Sequence, residues 1–181
     1  MARGRIVIIT GAPGTGKSTT ASIIAKESEL LKSVYMHTDD FYHYLCKGAI
    51  PPHLPGSEEQ NAIVIEAFLE AAKRFADGGY DVIVDGIVGP WYIAPWLKIA
   101  QDDYEVHYII LRANKEVTIN RAIKRTKLDR ETNIELVEIM WKQFNHLDCY
   151  ERNVIDTTDQ SIEETVSIIK ESLEKKTHLL G

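Results

Sequence analysis

The chain is predicted to fold as a three-layer α/β/α sandwich around a five-stranded parallel sheet, and three observations carry that prediction. Strand-like and helix-like segments alternate from one end to the other. The first strand segment, RIVIIT at 5–10, is β-branched and nearly all apolar, as a parallel strand covered on both faces must be. No internal repeat, low-complexity tract or linker rich in Pro, Gly or Ser breaks the alternation. With 181 residues, 44% of them hydrophobic, the chain has the length of one domain with a substantial core.

The elements follow in order. After the first strand, helix signals begin at Lys17, and SVYMH at 33–37 forms the second strand candidate. Two aspartates, Asp39 and Asp40, stand side by side just after it, placed either for chemistry or as caps of the helix that follows. KGAIPPHLPG at 47–56 carries three prolines and must be a loop. Ser57 and Gln60 have capping-box spacing, opening a helix whose Val64, Phe68, Ala71 and Phe75 recur on one face and which ends at Asp77-Gly78-Gly79. YDVIVDG at 80–86 and YEVHYIIL at 104–111 are the third and fourth strands, each followed by polar residues. Helices are expected over 115–125 and over 134–148, the latter with Ile134, Val137, Trp141 and Phe144 on one face. NVIDT is the last strand, before a helix striped by Ile162, Val166, Ile169 and Leu173. Crossovers between parallel strands should be right-handed.

Charge and composition exclude several classes of function. Asp and Glu outnumber Lys and Arg, 27 to 21, so nucleic acid is not the expected partner. Cys46 and Cys149 fit no metal-ligand or redox spacing and read as reduced thiols. The apolar run near the start is too short for a signal segment or a membrane span, so a cytoplasmic protein without membrane association is expected. The six histidines form no metal-binding pattern. Only His43, one helical turn after Asp39, is placed to orient that carboxylate, with a bystander as the plainer reading.

The strongest motif is GAPGTGKST, directly after the first strand, which fits G-x-x-x-x-G-K-[ST]. Gly11, Ala12, Pro13, Gly14, Thr15, Gly16, Lys17, Ser18 and Thr19 join a buried strand to a helix. Backbone N–H groups and the positive helix terminus can therefore converge on phosphate oxygens. Lys17 then reaches the β- and γ-phosphates of ATP, and Ser18 offers its hydroxyl to Mg²⁺. The competing reading, a mere Gly-rich turn, leaves the strand, the Lys and the Ser unexplained together. Asp85, ending VIVD, is placed as the carboxylate that holds Mg²⁺, although aspartates often end strands. In the following segment Trp91, Tyr92 and Trp96 either wall an acceptor pocket or pack in the core.

Other nucleotide proteins fit less well. Asp85 is not followed by the D-x-x-G of GTPase switches, and Asn114-Lys115-Glu116-Val117 lacks the aspartate that reads guanine. Motors and AAA-type ATPases need more chain for sensor and assembly elements. GAPGTGKST, TDDF, VIVDG, IILRA with its downstream arginines, and VIDTT together resemble the small-molecule kinase branch of the P-loop NTPases, nucleoside-monophosphate-kinase-like in fold. Chloramphenicol phosphotransferase, gluconate kinase and shikimate kinase belong to that branch. The resemblance implies an ATP- and Mg²⁺-dependent phosphotransferase with a small hydroxylated acceptor, whether a sugar acid, an antibiotic or another metabolite. It implies that Asp39 is the base toward the acceptor hydroxyl, and that Asp156-Thr157-Thr158 is the adenine-side loop. It also implies that Arg121, Arg125 and Arg130 approach or form a mobile lid at about 121–133 that clamps phosphate. A solvated basic face is the alternative for those arginines. Asp40, His43, Trp91 and Tyr92 are the acceptor-side candidates. The rival reading is a nucleotide-binding regulatory ATPase without acceptor chemistry.

Overall fold

The structure, a computed structural model, describes residues 3–125 and 130–181, with side chains outside 125–133. In chain order it runs β1 (Ile6–Thr10), α1 (Lys17–Lys26), β2 (Ser33–His37), α2 (Thr38–His43), α3 (Glu58–Asp77), β3 (Asp81–Asp85) and α4 (Ala94–Gln101). It continues with β4 (Val106–Arg112), α5 (Lys115–Arg125), α6 (Arg130–Gln143), β5 (Val154–Asp156) and α7 (Ile162–Lys175). The five strands form one parallel sheet in the order β2-β3-β1-β4-β5.

Alternation along each strand sorts the core into two layers. Val7, Ile9, Ile83, Ile109 and Leu111 face α1 and α7, meeting Ala21, Ile24, Val166, Ile169 and Leu173. Ile6, Ile8, Val82, Val84, Val106, Tyr108 and Ile110 face the other way, onto Phe68, Leu69, Ala72, Trp96 and Phe144. Every residue of β1 and β3 is buried, which is why Ile6–Ile9 and Val82–Val84 read as apolar runs rather than alternating ones. A fully buried isoleucine contributes about 1.5–3 kcal/mol relative to an exposed one, so the two central strands anchor the domain.

Three sequence expectations need correction. Ser57 and Gln60 do not form a capping box, for Ser57 makes no side-chain cap. Instead Ser57 Oγ donates to the Pro52 carbonyl, and the Gln60 amide closes on both backbone groups of Ile50, so the pair pins the proline loop. The buried face of α3 turns through Asn61, Val64, Phe68, Leu69, Ala72 and Ala76, leaving Phe75 exposed against the ring of Tyr80. The helix expected over 134–148 spans Arg130–Gln143 and gives way to a 3-10 turn at Asp148–Asn153, although Val137 and Phe144 are buried as expected.

One element was not foreseen. Beyond α7, which ends with Lys176 in the left-handed region at φ 54°, the chain returns antiparallel to the first half of β4. There Tyr108 N–H donates to the His178 carbonyl and Leu180 N–H to Val106. Since β5 pairs with β4 only from Ile110 onward, this segment covers an edge that would otherwise stay open.

Candidate functional site

Parallel topology brings the carboxyl ends of β1, β2, β3 and β4 to one edge, where the chain leaves the sheet into loops and helix starts. The phosphate-binding candidates leave from β1. Gly16 caps α1 with φ 95° in the left-handed region, and its carbonyl accepts the Thr20 N–H. Gly14 adopts φ 88°, and a Cβ there would sit 2.5 Å from the Thr118 carbonyl, so only glycine fits between the loop and α5. Thr15 ties the loop to itself through Oγ1 to Ala12 O at 2.9 Å. Lys17, Ser18 and Thr19 make the first turn of α1, where helical N–H groups lack acceptors within the helix. Ala12 is buried, Pro13, Lys17 and Ser18 are half-buried, and Thr19 is exposed. This cradle has the shape and polarity for nucleotide phosphates.

Asp85 ends β3 on the α1 side of the sheet and is fully buried. Its Oδ2 accepts a 2.6 Å hydrogen bond from the Tyr35 hydroxyl and lies 3.5 Å from His37 Nε2. Its Oδ1 is buried with no partner. An orphaned carboxylate oxygen at this edge fits a divalent cation shared with Ser18 and phosphate oxygens. Among the described residues no group of three or more His, Cys, Asp and Glu could hold a metal unaided, so the ion would have to arrive with the nucleotide.

Strand β2 runs beside β3 with His37 opposite Asp85, which carries the next residues just past the buried carboxylate. Thr38 packs so tightly on Gly86 that a Cβ there would meet its Oγ1 at 1.9 Å. Asp39 and Asp40 occupy the first turn of α2, both exposed, and neither caps the helix, whose N-cap is His37. Their position in the first turn is favourable to negative charge. Asp40 lies 3.9 Å from His37 Nδ1, so His37 bridges Asp40 and Asp85. His43 is exposed, and no bond joins it to Asp39. The histidine that meets the acidic cluster is therefore His37, which sequence reasoning missed because its partners lie across a strand pair rather than along a helix.

The aromatic trio divides. Trp96 is core, 2% exposed, against Phe68. Trp91 is half-exposed, packs edge-on to Phe144 and borders an open cavity of about 170 Å³ with Gln143, His146, Cys149 and Tyr150. Tyr92 belongs to the Asp39 side: the Tyr42 phenol is pushed up to about 12, first by burial and then by the nearness of Tyr92 and Asp39.

On the other flank, Thr157 N–H donates to Arg112 O and Thr157 Oγ1 to Thr15 O, stapling the loop after β5 to the phosphate loop. Asp156 accepts the Thr158 N–H at 2.8 Å, and the Thr158 side chain first, then this backbone bond, hold its carboxyl below the usual range. Arg121 donates to the carbonyls of Thr157 and Thr158, so it braces this loop. Arg125 ends α5 and Arg130 opens α6; their side chains, and residues 126–129 of the expected lid, lie outside the described residues.

A family described as "AAA domain" matches residues 7–141. A guanylate kinase of Clostridium tetani is 26% identical over 186 residues, covering 93% of this chain and 86% of that one. Among solved structures, the Mycobacterium tuberculosis APS kinase CysC, in complex with AMPPNP and APS, superposes with a TM-score of 0.70 at 21% identity, over 96% of this chain and 99% of that one. A sugar kinase from Janibacter sp. superposes at 0.67 and 18% identity, over 94% and 95%. The tunicamycin resistance protein of Deinococcus radiodurans does so at 0.64 and 20%, over 99% of both chains. The AAA description sits against the length argument that set such ATPases aside, because the matched part runs from β1 into α6 and is the nucleotide-binding core itself. With more than half its length matched, the chain belongs to the P-loop family described as an AAA domain, and its fold is that of small P-loop kinases.

Proposed function

We propose that the protein is an ATP- and Mg²⁺-dependent kinase that moves the γ-phosphate of ATP to a hydroxyl of a small acceptor. The observation that carries the reading is the placement of Asp39 and Asp85 at one sheet edge with the phosphate cradle, through the pairing of His37 opposite Asp85. Phosphoryl transfer needs charge neutralisation, in-line positioning and a group to take the alcohol proton, and each need has a candidate here. Lys17 and the N–H groups of the cradle hold the phosphates. Ser18 and Asp85 hold Mg²⁺, which supplies neutralisation of charge on the transferring group. Thr157 and Arg121 steady the adenine-side loop, and Arg125 and Arg130 clamp phosphate. Asp39 orients the acceptor hydroxyl and takes its proton as the new P–O bond forms.

The charge of the acceptor side supports an alcohol over a phosphate as acceptor. From β2 through the middle of α3 stand Asp39, Asp40, Glu58, Glu59 and Glu66 against Lys47 alone, and an incoming phosphate monoester would meet little countercharge there. The guanylate kinase likeness keeps a phosphate acceptor as the second reading.

The test is ADP release with Mg-ATP and a panel of hydroxylated metabolites and antibiotics, followed by two variants with the stimulating acceptor. Asp39→Asn should lower turnover by about two to four orders of magnitude with ATP binding intact, whereas Asp40→Asn should cost less than about tenfold. Equal losses, or a greater loss at Asp40, would overturn the assignment of the base. ATP binding without stimulation by any acceptor favours a regulatory ATPase.

A further inference from the structure

We infer that Tyr35, with His37 beside it, is a positioning residue for the cation site: it occupies one oxygen of Asp85 so that the other is presented to Mg²⁺. The inference rests on the proposed metal role of Asp85 and deepens it.

Tyr35 and His37 are two apart on β2, so both project from the same face, the face on which Asp85 lies across the strand pair. The Tyr35 hydroxyl takes Oδ2 at 2.6 Å and His37 Nε2 approaches the same oxygen at 3.5 Å, while Oδ1 has no partner at all. Both oxygens belong to a residue with no exposed surface. A buried carboxylate left free to turn about its Cβ–Cγ bond could offer either oxygen or share both. With Oδ2 held by a hydroxyl donor, one rotamer is selected and the empty oxygen has a fixed direction. A phenol hydroxyl facing a carboxylate oxygen at 2.6 Å can only be the donor of that bond. Tyr35 itself is 40% exposed on the edge strand, so its ring contributes little packing that would explain its presence there. His37 adds a second support and links Asp85 to Asp40 on the acceptor side.

Outer partners of metal ligands characteristically change metal affinity by about 10–100-fold when removed. The experiment follows the melting temperature of the protein with saturating AMPPNP while Mg²⁺ is titrated, for the parent, Tyr35→Phe and Asp85→Asn. Tyr35→Phe removes one oxygen and keeps the ring. It is expected to lower the melting temperature of the ligand-free protein, because buried Asp85 loses a hydrogen bond, and to raise the Mg²⁺ concentration at half-effect about tenfold, with the shift by AMPPNP in EDTA unchanged. An unchanged Mg²⁺ midpoint in Tyr35→Phe overturns the inference. So does an equal loss of stabilisation with and without Mg²⁺, which would mark Tyr35 as structural. Asp85→Asn separates the two levels: if it leaves the Mg²⁺ midpoint at the parent value, the metal reading of Asp85 is itself wrong. Mn²⁺ in place of Mg²⁺, read by its electron paramagnetic resonance signal, gives the same comparison without relying on melting.

Discussion

Strand β3 carries a buried aspartate at each end, and the two are treated in opposite ways. Asp81, at the amino edge, receives two hydrogen bonds from Arg5 at 2.9 and 3.0 Å and a third from Ser28 at 2.6 Å. Asp85, four residues on, has one oxygen supported and the other bare. Both have no exposed surface, so burial alone does not distinguish a carboxylate that holds the fold from one reserved for a ligand. What distinguishes them is satisfaction. A buried charge left half-paired lowers stability, and it persists where an incoming group completes it.

The sharpest way to break that contrast is to remove each carboxylate. Asp81→Ala leaves the Arg5 guanidinium, only 17% exposed, without its partner and should cost about 3–5 kcal/mol of unfolding free energy in urea melts. Asp85→Asn removes a charge that the ligand-free fold supports poorly, so it should leave stability within about 1 kcal/mol of the parent or raise it. Equal destabilisation by the two variants would erase the distinction.

A smaller effect refines the amino edge, which has its own incompletely paired group. His107 is fully buried, bonded through Nε2 to Glu105 at 3.0 Å, with Nδ1 unpartnered. Burial, outweighing the pull of Glu105, holds its pKa below 6.5, and His178 is lowered by burial and then by His107. Because the unfolded chain recovers the ordinary value, it takes up the proton first as pH falls. The stability contributed by neutral His107 is thus intact above about pH 7 and declines below about 6.5. Melting temperature should drop between pH 7 and 5, and His107→Gln should flatten that slope. A slope unchanged in the variant would assign the pH response elsewhere.

The sheet was legible because its central strands are buried on both faces and say so in composition, and GAPGTGKST announced the turn that follows β1. Stripes such as Ile162, Val166, Ile169 and Leu173 located α7 for the same reason, a period that matches burial. Ser57 and Gln60 misled because capping-box spacing is local, whereas their bonds go to a proline loop whose path no periodicity encodes. Tyr35 and His37 were invisible as site residues because they act through register. That Asp85 lies opposite His37 is a property of the β2–β3 pairing, and it can be read only after the sheet is assembled. The segment at 178–180 escaped notice because a single bridge has too little pattern to be seen.

That segment bears on how the protein keeps from aggregating. Its pairing with Val106–Tyr108 closes a stretch of backbone on β4 that would otherwise recruit another chain. Two backbone hydrogen bonds and the packing of Leu180 into the core hold it, so it can open while the rest of the sheet remains intact. Self-association that begins at this edge would follow how often this short segment opens rather than how often the domain unfolds. Two variants of equal melting temperature can therefore differ widely in shelf life.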